Sequence, residues 1–573
     1  MHQPHLISRR RFVAAAAATL AAFLPSVARS QNDAAPASIL LTGGTLVDGT
    51  GARGRRADVR VAGDKIVEIG GRLAPRPGER ILDATGLVVA PGFIDTHSHA
   101  DGGLLGNPDA EVMIRQGITT SVVGQDGGSA YPLAQFFRDL EQKHVALNIA
   151  SFVGHGSARG FALGSDYKRA ATPAEVLRMR AYVAEGMRAG ALGLSSGLEY
   201  DPGLYGTTEE VIACAKVASA YGGMYISHVR DEENEALTSF RELIRIADEG
   251  RLPGQISHIK LGSSPVWNKA GEVLKMMADA SRRGVSVTAD VYPYTYWQST
   301  ITVIIPTRDW DDRKQWETGL AEIGGAQNVL LTSYSPDPSR EGKTIAEIAQ
   351  ASGKDAVTVI QEIVQKTHGP GANGRESVVV TAMQESDLKA FLAAPNVMFC
   401  TDGGLRPSHP RGAGSYPRIL GRYVREQHVL PLAEAVRKAT SLPAARMGFL
   451  DRGRIAPGYK ADLVLFDPAT IIDQATTAKP AAPPVGLPYV LVNGQVVLDN
   501  GKITGAHPGQ VLRRGASAAP KTAARLAATN FSQRNALVFP SPLDELVRLR
   551  RRAQAHGYSG GPARPFVSPR PRR

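Results

Sequence analysis

Short apolar runs recur between residues 92 and 402, each running into polar or glycine positions: GFIDTHSH, ITTSVVGQD, LNIASFVGHG, ALGLSSGLEY, GMYISHV, GQISHIK, VSVTADVYPY and VMFCTD. Runs of this length, bounded by turn-forming residues, predict buried strands. Between them, segments such as TPAEVLRMRAYVAEGMRAG and SFRELIRIADEG repeat apolar residues at three- and four-residue spacing, the pattern of amphipathic helices. Strands and helices alternating eight times predict an α/β chain folded as a (β/α)8 TIM-like barrel, with its working residues at the carboxyl ends of the strands. The stretch 301–395 is longer than one strand-helix unit needs and predicts an inserted lobe near the barrel mouth.

Flanking the barrel, ILLTGGTLVDGTG, ADVRVAGDKIVEIG and ERILDATGLVVAPG near the start, with GYKADLVLFDP and YVLVNGQVVLDNGKI near the end, read as short strands separated by Gly and Asp turns. Apolar faces on both predict one small β-sandwich built from the two terminal regions. The expected division is 32–90 and 451–513 for the sandwich and 91–450 for the barrel. Residues 1–30 carry a basic head, a short apolar run and a small-residue end at Ala28, Arg29 and Ser30, the pattern of a removable export signal. Ser8-Arg9-Arg10-Arg11-Phe12-Val13 resembles the twin-arginine type, so a periplasmic or secreted location is expected, with an ordinary Sec signal as the alternative. No transmembrane anchor is expected once the signal is removed.

Composition narrows the class. Hydrophobic residues at 43% and charged residues at 21% suit a soluble globular enzyme and exclude a fibrous or wholly disordered chain. The net charge of +12 does not point to nucleic acid, because eleven Lys or Arg against two acids lie in the Pro- and Arg-rich segment after residue 515. No stretch interleaves basic and aromatic residues as a nucleic-acid platform would. The tail, 514–573, reads as a solvated extension, with adhesion to an acidic surface as the alternative. Cys214 and Cys400 allow at most one disulfide, so stability rests on the core.

The candidate chemistry sits at the strand ends. In an extended strand His97 and His99 share one face while Ser98 points away. His228, His258 and the carboxylates Asp126 and Asp402 end other predicted strands, so a closed barrel brings all six to one rim. Imidazoles with carboxylates are suited to zinc or a similar divalent ion. A single buried histidine is more often a structural group, but four on one rim make a shared metal the better reading. His155 ends the third run on the same rim, either orienting substrate or satisfying a loop.

PGFIDTHSHAD, SHVRDE, ISHIK and CTDGG resemble the metal motifs of the amidohydrolase superfamily, and their spacing is similar to that of its D-aminoacylase (N-acyl-D-amino-acid deacylase) branch, over roughly residues 38 to 513. The resemblance implies a sandwich-plus-barrel fold, one or two zinc ions, and hydrolysis of an amide by zinc-bound water, with Asp402 as general base and then acid. It places substrate contacts at Tyr292, Ser299 and Arg411. One departure stands out: the second strand of that branch usually ends in a cysteine, and this chain has Asp126. Either Asp126 bridges the metals, or Glu199, in GLSSGLEYDPG, takes that role or no bridge exists. Lys260, two residues after His258, is expected to project with it toward the barrel axis.

These cations favour a small amide substrate bearing a carboxylate, and the D preference comes from the resemblance alone. A cyclic amidase of the hydantoinase or dihydroorotase kind, or a dipeptidase, is the alternative enzyme. A non-catalytic binder would not need the full ligand set.

Overall fold

A computed structural model of the chain describes residues 38–305 and 309–515; the expected signal segment and nearly all of the basic tail lie outside them. Eight short strands form the barrel: β1 (Phe93–Asp95), β2 (Ile118–Val123), β3 (Asn148–Ser151, continued at Val153–Gly154), β4 (Gly193–Gly197), β5 (Met224–His228), β6 (Gly254–Ile256), β7 (Val287–Val291) and β8 (Val397–Phe399). Each pairs in parallel with the next. The ring closes where Ser98, just beyond β1, bridges in parallel to Gly403, just beyond β8. The amide of Asp402 donates to the carbonyl of His97 and that of His99 to Gly403, each at 2.9 Å. All eight apolar runs become barrel strands, and nearly every strand residue is buried, as a parallel sheet covered by helices requires.

Helix ends follow local sequence. Pro173–Ala189 starts with a capping box in which Thr172 and Glu175 satisfy each other's backbone, has Pro at its first position, and stops at Gly190 in the left-handed region. Helix Ala236–Gly250 buries Phe240, Leu243, Ile244 and Ala247 in the main core, at the spacing read from the sequence.

Both terminal regions meet in the sandwich. A four-stranded sheet from residues 38–83 faces a second sheet in which Leu463–Phe466 pairs antiparallel with Val88–Pro91. Leu41, Val59, Val61, Leu463, Leu465 and Leu491 fill the space between. Among the described residues no helix is long and apolar enough to cross a membrane. Cys214 and Cys400 are buried and free, so no disulfide joins them.

The inserted lobe exists with shifted limits. Its antiparallel sheet has Glu376–Thr381 between Tyr296–Ser299 on one side and Val329–Tyr334 on the other, around a core containing Trp316, Leu331, Ile360 and Val378. It therefore begins before residue 301 and ends before 395. Helix Glu385–Ala393 returns to the barrel because Leu388, Phe391 and Leu392 face the main core.

Candidate metal centre and substrate cavity

The carboxyl ends of the strands surround a cavity of about 410 Å3, whose lining includes His99, Asp126, His228, His258 and Asp402. His97 lies beside His99 and is fully buried. The pair sits just past β1 rather than within it, where the chain bends at Thr96 and His97 before the bridge at Ser98, and both imidazoles still face Asp126 and Asp402. Asp126, His258 and Asp402 lie in turns beyond their strands with φ of 52°, 33° and 48°. Left-handed backbone at non-glycine positions is disfavoured, and its concentration here marks a constrained site. Gly127 has φ of 75°, and a side chain there would meet the Gly197 amide, so only glycine lets the Asp126 loop close on β4.

Six donors converge. Nε2 of His97 is 3.3 Å from Asp126 Oδ1 and 3.6 Å from Asp402 Oδ1, and Nε2 of His99 is 3.2 Å from Asp126 Oδ2 and 3.3 Å from Asp402 Oδ1. Asp126 Oδ1 also lies 3.6 Å from His258 Nε2, which faces His228 Nδ1 at 3.1 Å. Both nitrogens of His97 and the Oδ1 of Asp126 are buried without a hydrogen bond. Buried polar atoms are normally paired. Lone pairs brought together and left unpaired fit a divalent cation, and the His and carboxylate donor set fits zinc.

Charge within the cluster is strongly organised. Burial alone would raise the Asp126 carboxyl, but the imidazoles of His97, His258 and His99 packed beside it hold it well below the usual range. Asp402 is likewise held low against burial, chiefly by the Arg411 guanidinium and by His258. Burial lowers His228 to about 4, with charge on His258 and Lys260 acting against Glu232, so its ring is neutral at pH 7 as a metal ligand must be.

Several expected contacts are rearranged. Glu199 Oε2 meets His228 Nε2 at 2.6 Å, so Glu199, His228 and Glu232 form one group of donors, while the Asp126 carboxylate lies beside His97, His99 and His258. Lys260 is not on a strand with His258, because β6 ends at Ile256. Its Nζ bonds Glu232 at 2.5 Å and His258 Nδ1 at 2.7 Å, so its charge is already paired inside the protein. Arg411 Nη1 lies 2.8 Å from Asp402 Oδ2 and its guanidinium stacks 4.7 Å from the Tyr292 ring. Tyr292 is buried behind them, its hydroxyl unpartnered, and burial pushes its phenol up to about 12. Ser299 lines the cavity from the edge of the lobe. His155 does not line it: the ring is fully buried at a helix start, 2.9 Å from Glu210, which also binds Arg159. Its environment is a structural ion network, because the helix after β3 turns the side chain away from the opening.

Glu232, Glu233, Tyr200, Trp297 and Gln298 also line the cavity and were not singled out from sequence. Glu232 stands four residues after His228, inside SHVRDE, and that proximity was the available signal. Tyr200 and Glu233 sit in turns, and Trp297 and Gln298 on the short lobe strand Tyr296–Ser299, whose approach to the barrel mouth no spacing along the chain specifies.

A profile described as amidohydrolase family matches residues 80–498. The chain belongs to the amidohydrolase family. It is 37% identical to the D-aminoacylase of Alcaligenes xylosoxydans xylosoxydans over 85% of this chain and all of that protein. It is 34% identical to the N-acyl-D-glutamate deacylase of the same organism, over 84% of this chain and 97% of that one. Among solved structures, the crystal structure of N-acyl-D-glutamate deacylase from Bordetella bronchiseptica, complexed with zinc and a phosphonate inhibitor, superposes with a TM-score of 0.74. It shares 33% identity over 83% of this chain and all of that one. A D-aminoacylase crystal structure gives 0.73 at 34% identity, covering 84% and 100%. This member of the family is a metal-dependent hydrolase of carbon-nitrogen bonds.

Proposed function

We propose that the protein is a zinc-dependent N-acyl-D-amino-acid deacylase. The observation that carries this reading is the convergence of His97, His99, Asp126, His228, His258 and Asp402 on one cavity, with buried donor atoms left unpaired. These six residues would hold one or two ions. Zinc is favoured by the donor set and by its presence in the related deacylase complex. When bound, the ion supplies a Lewis acid that acidifies water and polarises the amide carbonyl. Asp402, ionised and steadied by Arg411, takes the water proton and passes it to the leaving nitrogen. Arg411 and Lys260, backed by Tyr292, place positive charge where the substrate carboxylate would bind.

The test is zinc-loaded protein offered paired N-acetyl-D- and N-acetyl-L-amino acids, dipeptides and cyclic imides. Release of acetate from the D series alone is expected; turnover confined to cyclic imides or dipeptides would overturn the reading. Metal content per chain should fall in Asp126→Ala and hold in Glu199→Ala, and the reverse would give the ligand role to Glu199. Export to the periplasm through residues 1–30 is part of the proposal, supported by the arginine-headed segment alone and checked by cell fractionation. A solvated role for the basic tail is checked by comparing turnover after removing residues 516–573.

A further inference from the structure

His409 is buried, 2% exposed, and lies outside the cavity lining. Tyr292, Tyr294 and Tyr296, alternate residues of the segment leading from β7 into the lobe, surround its ring with centres 6.2, 5.6 and 4.7 Å away. Both ring nitrogens are committed. Nδ1 lies 2.9 Å from the backbone amide of Arg411, two residues ahead, and Nε2 lies 3.0 Å from the carbonyl of Tyr296, the first residue of the lobe's edge strand. An amide can only donate and a carbonyl can only accept, so the ring is the neutral tautomer with its proton on Nε2. Burial and the Arg411 charge push the imidazole well below its usual value, in keeping with that form. Beside it, Ser408 accepts from Gln298 Nε2 at 2.6 Å, a second link between the same two segments. Arg411 opens helix Arg411–Arg418 and reaches Asp402 Oδ2 at 2.8 Å, with its own Nε buried and unpartnered.

We infer that His409 is a positioning residue: held by the lobe's edge strand, its imidazole fixes the turn that starts the Arg411 helix, and through that turn sets the guanidinium against Asp402. Its effect on turnover rests on the deacylase reading; the placement itself rests on the hydrogen bonds. A side-chain acceptor closing on the amide two residues ahead is the bond by which Asn and Asp fix turns, and here Nδ1 makes it. Without that acceptor the Arg411 amide is buried unpaired, and the turn escapes the cost only by moving. The arginine side chain is long and has many rotamers, so where its backbone sits decides whether Nη1 meets Asp402. The Tyr296 carbonyl, by taking the Nε2 proton, leaves Nδ1 bare for this task.

Two variants separate the turn bond from the packing. His409→Asn keeps an acceptor near the place of Nδ1, and His409→Gln keeps a donor near the place of Nε2 but puts a methylene where Nδ1 was. A ring that merely filled the space between the tyrosines would be replaced better by Gln, the larger residue; a positioning ring is replaced better by Asn. On the N-acetyl-D-amino acid that zinc-loaded wild type hydrolyses fastest, kcat/KM should fall about 100-fold in His409→Gln and no more than about tenfold in His409→Asn. Crystal structures of the two should show Arg411 Nη1 still on Asp402 in the Asn variant and displaced in the Gln variant. Melting temperatures identify a misfolded protein, and His409→Leu, of similar bulk with no polar atom, takes the place of His409→Gln if that variant does not fold. Gln serving as well as Asn, or Arg411 unmoved on Asp402 in the Gln or Leu crystal, would overturn this inference and leave the deacylase reading intact. Wild-type protein that hydrolyses no N-acetyl-D-amino acid with zinc bound would overturn the deacylase reading, and the crystals alone would then decide the placement.

Discussion

Arg411 Nη1 lies 2.8 Å from Oδ2 of Asp402, while Oδ1 of the same carboxylate faces His99 Nε2 at 3.3 Å. The two oxygens are thus divided between a fixed cation and the metal cluster. A guanidinium on one oxygen keeps the group ionised and sets its plane, leaving the other free to meet the cluster.

Asp402→Asn keeps the shape and the contact with the cluster but cannot accept a proton. Folding and most of the bound metal should persist while kcat falls about 100- to 10,000-fold, the range of a general acid-base group. Metal analysis beside steady-state kinetics checks this, and turnover near wild type would reject the role.

Lys260 and Glu232 form a buried pair with side chains 3% and 7% exposed. Lys260→Met removes one partner and strands the other, which should cost about 3–5 kcal/mol in urea unfolding. The double variant Lys260→Met/Glu232→Gln should recover part of that loss. A single-variant cost below about 1 kcal/mol would show that the pair is solvated in practice.

Chelation should abolish hydrolysis and lower the melting temperature together, with zinc restoring both. A ligand held at 100 times its dissociation constant adds about 2.7 kcal/mol to the folded state. Activity surviving exhaustive dialysis against a chelator, with metal content at zero, is the result that would end the metal reading.

Glu79 in the sandwich accepts from Arg60 at 2.8 Å and from Ser38 at 2.6 Å, its side chain fully buried. The Arg60 bond, with help from Ser38 and against burial, lowers its carboxyl from 4.5 to about 2. Because the folded value lies below the unfolded one, the stabilisation is complete above about pH 4.5 and is lost as pH falls through about 2. The melting temperature of wild type should fall more steeply than that of Glu79→Gln between those limits. Parallel curves would show that Glu79 contributes nothing to the acid sensitivity.

The barrel was legible because each of its strands needs both faces covered, which writes a short continuous apolar run that helices with a separate period interrupt. The histidines and Asp402 were legible for a related reason: strand ends in a closed parallel ring must converge, so position along the chain nearly fixes position on the rim. The lobe's true limits were not, since helix Glu385–Ala393 has the same amphipathic pattern whether it covers the lobe or the barrel. His155 shows the limit of the rim argument, as a helix starting at that residue swings the imidazole onto Glu210.

Sequence by itself determined the alternating architecture, the two-ended sandwich and the convergence of His97, His99, His228, His258 and Asp402 on one rim, because all of these follow from local period and from side-chain type. It left the choice between Asp126 and Glu199 open. Only the tertiary structure decided which charges neutralise one another. Lys260 on Glu232, Arg411 on Asp402 and Glu199 on His228 join residues from separate loops. Electrostatic energy depends on distances of a few ångströms that no spacing along the chain specifies.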